Sequence, residues 1–314
     1  MSCCSCSSPK RILSQRELLP IHHPLHTAVK IATLDLLSHG RVDLGLGRST
    51  TPLQLAPCGV HMEDTRGMMD EALSILPRIW TEEVFSHDGP YYHIPPCQVV
   101  PKPYQKPHPP LWAACTQEET AQIAGERGIG CLIHGKAGPE RVGQYIRTYT
   151  EALTKAKPVG QWINDHVVAD LAAYCDENDQ HAREKGAAWI ASDVLADAGR
   201  HAKYWEGVSM EDVPSDDVHH FRAAQRRASM TTSDVTPERL RDTGSGYCIG
   251  DPDACIRVAE RYEAVGVEEL MLAIQISPST PHQDAMNTIR LFGKYVIPYF
   301  QAKENKGQRE GIVK

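Results

Sequence analysis

A chain of 314 residues with 41% hydrophobic residues can bury a substantial core, either as one large α/β barrel or as two ordinary domains. Its net charge of −7 argues against a general nucleic-acid binder and against a polybasic membrane surface. No apolar run approaches the roughly 18 residues of a membrane span, and the start, MSCCSCSSPKR, lacks the apolar stretch of a signal peptide.

Ten cysteines are scattered without framework spacing, which reads as free thiols in a reducing cytoplasm. Cys3, Cys4 and Cys6 lie close together but have no partner cluster, so no metal site is expected. Residues 1–17 are atypical of the rest of the chain and are expected to be a disordered N-terminal segment, with the polar triplet Gln15-Arg16-Glu17 directly before Leu18. Pro24 then opens a helix, with Leu25, Ala28, Val29, Ala32, Leu36 and Leu37 at helical spacing. Ser38-His39-Gly40 closes it, Gly40 being free to take a left-handed conformation. Val42, Leu44 and Leu46 alternate with Asp43 and Gly45, the period of a strand, which delivers Gly47, Arg48, Ser49 and Thr50 at its carboxyl end. A bare backbone, a fixed cation and two hydroxyls make a seat for a phosphate. A strand-to-loop corner with a solvated arginine is the ordinary alternative, and the residues alone leave both open.

A second helix is expected over residues 62–80, with Pro77 bending or shortening its last turn. Eight prolines between Pro90 and Pro110 imply an extended connection, with Val99-Val100 as a short edge strand. The chain then settles into a regular rhythm: strand 111–114, helix 118–127, strand 129–133, helix 139–155, strand 166–174 and helix 178–205. Such alternation implies a parallel sheet or barrel with right-handed crossovers. Residues 206–246 interrupt it as a polar insertion, after which come helix 253–264, strand 270–276 and helix 282–299, with a frayed tail over 302–314.

A second anion seat falls at Cys115-Thr116-Gln117-Glu118-Glu119-Thr120, a strand end entering a helix whose free amides and dipole suit a phosphate. The more ordinary reading is a capping box, Thr116 capping and Glu119 returning the bond. His22 and His23 offer imidazoles near a strand end, as weak candidates for an acid or base. No HExxH, GxSxG or P-loop occurs, and Gly45-Leu46-Gly47 lacks the third glycine of a dinucleotide fingerprint.

Three stretches together resemble the bacterial luciferase-like flavin-dependent monooxygenase family: LLPIHHPLHTAVKIATLDLLSHGRVDLGLGRS (18–49), PYYHIPPCQVVPKPYQKPHPPLWAACTQEETAQIAGERGIGCL (90–132) and GYCIGDPDACIRVAERYEAVGVEELMLAIQ (246–275), with a terminal helix ending IPYF (297–300). The resemblance implies a TIM-like (β/α)8 barrel domain over residues 18–301 that binds flavin mononucleotide (FMN), or the deazaflavin F420 in one branch, at the carboxyl ends of its strands. It implies Gly47, Arg48, Thr116, Gln117 and Thr120 as cofactor-binding residues. It further implies reduced FMN from a separate flavin reductase, dioxygen and a small organic substrate as reactants, and leaves room for a homodimer. Family members carry two further βα units before the Leu18-Leu19-Pro20 strand end. The chain therefore reads as a truncated or alternatively started member, an incomplete barrel whose pattern stops near Leu18. The alternatives are a flavin-binding protein without turnover and an F420-dependent oxidoreductase.

Overall fold

The structure is a computed structural model that describes residues 12–49, 52–135, 138–213 and 246–303, with isolated residues 218, 221, 222, 225 and 236 between the last two segments. The Cys3, Cys4 and Cys6 cluster, Thr50, His219-His220, most of the 206–246 insertion and the end of the tail lie outside the described residues. Two units divide the chain: Met1–Ile133 with Arg147–Val167 and Tyr204–Ala223, and His134–Ile146 with Val168–Lys203 and Ala224–Lys314.

In the first unit a parallel ladder runs β1 (Ile12–Leu18), β2 (Val42–Gly47), β5 (Leu111–Cys115), β6 (Gly130–His134). Its registers pair Leu18 with Gly47, Leu46 with Ala113 and Ala113 with Cys131. Strand β1 corrects the expectation that the family pattern stops at Leu18. The register slips between Ser14 and Glu17, and buried Glu17 receives Lys30 of α1 (Pro24–Ser38) as a counter-cation. A buried carboxylate costs most when it is left unpaired.

Helix α1 begins as its sequence dictates. Pro24 occupies the first turn, and His23 is the N-cap, its Nδ1 accepting from the Leu25 amide at 3.3 Å. It ends with His39 at φ 56° and Gly40 at φ 78°, the Gly40 amide donating to the Asp35 carbonyl at 2.9 Å. A Cβ on Gly40 would stand 2.8 Å from the Tyr104 ring, so glycine is needed there for space as well as for φ. The buried face, Ala28, Ile31, Ala32 and Asp35, lies under α3 (Thr65–Thr81), where Trp80 donates its indole N–H to the Ala28 carbonyl at 3.1 Å. Helix α3 continues for a turn beyond Pro77, contrary to the expected shortening. Lys102 supplies the stop, donating to the Ile79 and Glu82 carbonyls at 2.7 and 2.6 Å.

The proline-rich connection contains a hairpin that the sequence reading missed, β3 (Phe85–Asp88) with β4 (His93–Cys97). Glu71 of α3 clamps it, accepting from the amides of Tyr91 and Tyr92 and pairing with His87 at 2.9 Å. Val99 and Val100 form no strand. Further along, buried His108 is stacked between Trp80 and Trp162 at 6.1 and 6.3 Å, its Nδ1 donating to the Pro109 carbonyl and its Nε2 accepting from the Gln161 amide. Burial lowers its pKa, and an added proton at Nε2 would face the Gln161 N–H. A group depressed in the folded state stabilises the fold above its unfolded pKa, near 6.5, and loses that contribution as pH falls through the folded value. Thermal unfolding midpoints should therefore drop as pH falls below about 6.5, and a His108→Gln variant should show a flatter profile over the same range.

In the second unit β7 (Val167–Cys175) is the central strand, with β9 (Glu269–Ala273) parallel along Val168–Ala172 and β8 (Tyr247–Gly250) parallel along Ala172–Cys175. Strand β8 is short and was not foreseen. Tyr174 packs edge-on against Trp189 of α6 (Asp179–Tyr204) at 4.6 Å, in a core with Ala182, Ala187, Ile190 and Ile249. Helix α7 (Pro252–Ala264) is capped by Asp251, which accepts from the Ala254 amide at 2.8 Å. Helix α8 (His282–Leu291) passes into a wide π turn, Phe292–Val296, where one continuous helix was expected. Thr288 of α8 bonds the main chain of Cys175 through both N–H and C=O.

The described cysteines are free thiols. Cys115 and Cys131 touch across β5 and β6, their sulfurs 3.4 Å apart, while Cys175, Cys248 and Cys255 form a second buried group. A hydrogen bond with Cys255, together with burial, pushes the Cys175 thiol far up. The architecture is α/β, parallel strands alternating with helices, with neither unit's ladder closing on itself among the described residues.

Candidate functional site

Because β1, β2 and β5 are parallel neighbours in register, their carboxyl ends lie side by side. Gly47, buried, is paired with Leu18, and Arg48, half-buried, comes directly after it. His22 and His23 come just after β1, and Thr116 and Gln117 just after β5. The two anion seats read separately from the sequence are thus loops of adjacent strands. Ser49 next to Arg48 is buried at φ 80°, its hydroxyl 2.7 Å from Oε1 of Gln54 in the short α2 (Pro52–Leu55), which fixes the chain where it leaves β2. Arg48 donates to the Thr65 hydroxyl at 3.3 Å, and that hydroxyl donates to the Met62 carbonyl at 2.6 Å.

The capping box expected at Thr116 and Glu119 does not form. Helix α4 (Glu118–Glu126) takes Gln117 as its N-cap, in an extended conformation and with no side-chain cap bond. Glu119 instead pairs with Arg66 of α3 at 2.9 Å. Its carboxyl is held below the ordinary range first by the Arg66 hydrogen bond and charge and then by the charge of Arg48. That last contribution places Arg48 within electrostatic reach of the first turn of α4. Thr116 and Gln117 are exposed and Thr120 is half-buried.

The two histidines separate. His22 is exposed, 3.8 Å from Glu17 Oε2. His23 caps α1 and meets Tyr92 edge-on at 5.7 Å, with its pKa lowered by burial and by neighbouring His26. A capping role accounts for His23 without chemistry. Arg66 was missed by sequence reading because it lies far along the chain from Glu119 and on another element. In the second unit the structure adds His134 of β6, whose Nδ1 is 2.7 and 3.0 Å from the two carboxylate oxygens of Asp170. No histidine pattern in the sequence foretold this pair. Among the described residues no group of three or more His, Cys, Asp or Glu could hold a metal ion, and no helix is long and apolar enough to cross a membrane.

The donor set suits a phosphate monoester such as the one on FMN. It combines a fixed guanidinium, an uncapped helix N-terminus and two hydroxyl side chains, with glycine at Gly47 leaving room for close approach.

The family model for luciferase-like monooxygenases matches residues 11–269. An uncharacterised protein of Sinorhizobium fredii is 33% identical over 120 residues, 38% of this chain and 35% of the relative, so the chain covers only about a third of that relative's length. The alkanal monooxygenase alpha chain of the Kryptophanaron alfredi symbiont is 22% identical over 292 residues, 92% of this chain and 78% of the relative. The F420-dependent glucose-6-phosphate dehydrogenase of Beutenbergia cavernae is 29% identical over 170 residues, 52% of this chain and 48% of the relative. Among solved structures, a monooxygenase of Streptomyces bottropensis aligns with a TM-score of 0.69 at 24% identity, covering 92% of this chain and 78% of that one. The oxygenating constituent of 3,6-diketocamphane monooxygenase from Pseudomonas putida, in complex with FMN, aligns with a TM-score of 0.63 at 19% identity, covering 92% and 79%. On the match that spans both units, the chain belongs to the luciferase-like monooxygenase family.

Proposed function

We propose that the chain is the oxygenase component of a two-component flavin monooxygenase in the cytoplasm. In this reading it takes reduced FMN from a separate flavin reductase and uses dioxygen to oxygenate a small organic molecule. The observation that carries it is the adjacency of Arg48 and the uncapped N-terminus of α4 on neighbouring parallel strands. Arg48 would take the phosphate as a planar, permanently charged donor, and the first turn of α4 would add its amides, with Thr116, Gln117 and Thr120 at the rim. Bound reduced flavin supplies the electrons that activate dioxygen. The protein's own part is to anchor the phosphate, to orient the ring from that anchor and to limit water around it.

F420-dependent hydride transfer is the second reading, supported by the Beutenbergia cavernae relative. Titration of the purified chain with FMN, reduced FMN and F420 separates the two, since each predicts tighter binding of its own cofactor. For the first reading, oxygen uptake that needs NADH, a flavin reductase and an organic substrate is expected as well. Binding of FMN without such uptake would favour a flavin-binding protein without turnover, and absence of binding to all three would remove both enzyme readings.

A further inference from the structure

His134 ends β6 and Asp170 lies in the middle of β7, and both belong to the second unit. The imidazole Nδ1 stands 2.7 and 3.0 Å from the two oxygens of the carboxylate. An ionised carboxylate only accepts, so Nδ1 donates. In the neutral ring the lone pair then falls on Nε2, at the other side of the imidazole. The pair is graded in depth: the Asp170 side chain is 15% exposed and the His134 side chain 31%. The carboxylate thus sits behind and the imidazole in front, an order that a pair serving only to join two strands does not need.

The surrounding main chain holds this arrangement. A Cβ on Gly135, the next residue, would stand 2.6 Å from the Asp170 carbonyl oxygen, so glycine is what lets the end of β6 lie this close to β7. Fully buried Tyr262 of α7 donates its hydroxyl to the Gly135 carbonyl at 2.9 Å, and burial above all raises its pKa and keeps it a donor. Asp170 is in register with Met271 of β9, and in-register neighbours on parallel strands share a face. The half-buried Met271 thioether therefore lies beside Asp170 as an apolar, adaptable contact. The other charged groups around are Arg261 of α7 and Glu140 of α5 (Pro139–Leu153), which pair with each other, and exposed Glu269 at the start of β9.

Resting on the reading of the chain as an oxygenase of small organic molecules, we propose that this pair is a proton-transfer dyad for a substrate hydroxyl. His134 is the catalytic base and Asp170 its positioning residue. Nε2 takes the hydroxyl proton: the O–H bond breaks, an N–H bond forms, and the electron pair stays on oxygen. The resulting imidazolium stands against the Asp170 carboxylate, which offsets its charge, and no oxidant or reductant is consumed. The substrate class is a phenol or enol, whose hydroxyl is acidic enough for an imidazole to ionise and whose apolar body suits Met271. Once ionised, such a molecule is more electron-rich and easier to oxygenate.

The test is a flavin-free titration of para-nitrophenol, coloured as its phenolate, with the full chain at a pH just below the probe's own pKa. Adding wild type should deepen the phenolate band. His134→Gln should abolish that gain, Asp170→Asn should cut it about tenfold, and Asp170→Glu should restore most of it. Nitrogen NMR of the neutral His134 ring should place the proton on Nδ1 in the wild type, a reading that stands even where a variant fails to fold. A proton on Nε2 overturns the assignment. So does a wild type that leaves the band unchanged, a gain that persists in His134→Gln, or equal gains in wild type and Asp170→Asn. No flavin is present in either measurement, so a chain that fails to bind FMN is a separate result, distinguishable from all of these.

Discussion

Replacing Arg48 with alanine should cost the chain about tenfold to a hundredfold in FMN affinity, while riboflavin binding stays close to wild type. The size comes from the kind of contact. A guanidinium on a phosphate makes charge-assisted hydrogen bonds, each worth about 1.5–3 kcal/mol and stronger where water is partly excluded. Arg48 is half-buried, is preceded by a buried strand end and is followed by Ser49 in a constrained conformation, so little freedom remains to be lost on binding. Lysine at this position restores the charge but not the planar fork, and Arg48→Lys should recover only part of the affinity. Quenching of flavin fluorescence reads both. Equal losses for FMN and riboflavin would mean that Arg48 acts on the ring or on the fold, and would remove it from the phosphate seat.

Asp35→Ala should lower the stability of the first unit by about 3 kcal/mol. Asp35 is fully buried on α1, and its two oxygens accept from the main-chain amide and the side-chain amide of Gln105, each at 2.8 Å. Gln105 also donates to the Val42 carbonyl at 2.7 Å, so one residue of the proline-rich connection ties α1 to the start of β2. Alanine would leave two partly buried donors without this acceptor, at about 1–3 kcal/mol apiece, partly relieved by movement of Gln105. Asp35→Asn keeps one acceptor and should cost roughly 1 kcal/mol. Denaturant unfolding of the two variants beside wild type measures both, and an Asp35→Ala midpoint equal to wild type would show that Gln105 is not held through this carboxylate.

How legible each feature is in the sequence depends on how local its signal is. Pro24 and the alternation of Val42, Leu44 and Leu46 are short-range signals, and the elements they announce are present. The strands that end at Gly47 and at Cys115 were legible for the same reason, each being a short apolar run with its own local signal. Strand β1 was not, because Glu17 looks unburiable until Lys30, in the next element, is folded against it. The hairpin strand β4 was hidden by Pro95 and Pro96, residues that usually argue against a strand but are tolerated on a two-stranded ribbon. The partner of Glu119 escaped for a related reason. A capping box is a pattern within four residues, whereas Arg66 competes for the same carboxylate from another helix, and no local rule contains it.

The buried thiols give each unit its own clock. Cys115 and Cys131 lie wholly within the first unit, and Cys175, Cys248 and Cys255 within the second, while Cys58 is exposed. A thiol that is shielded from water reacts with an alkylating reagent only after its surroundings open. The order in which the two sets are modified therefore times the opening of one half of the chain against the other, at single-residue resolution and with no probe added to the protein.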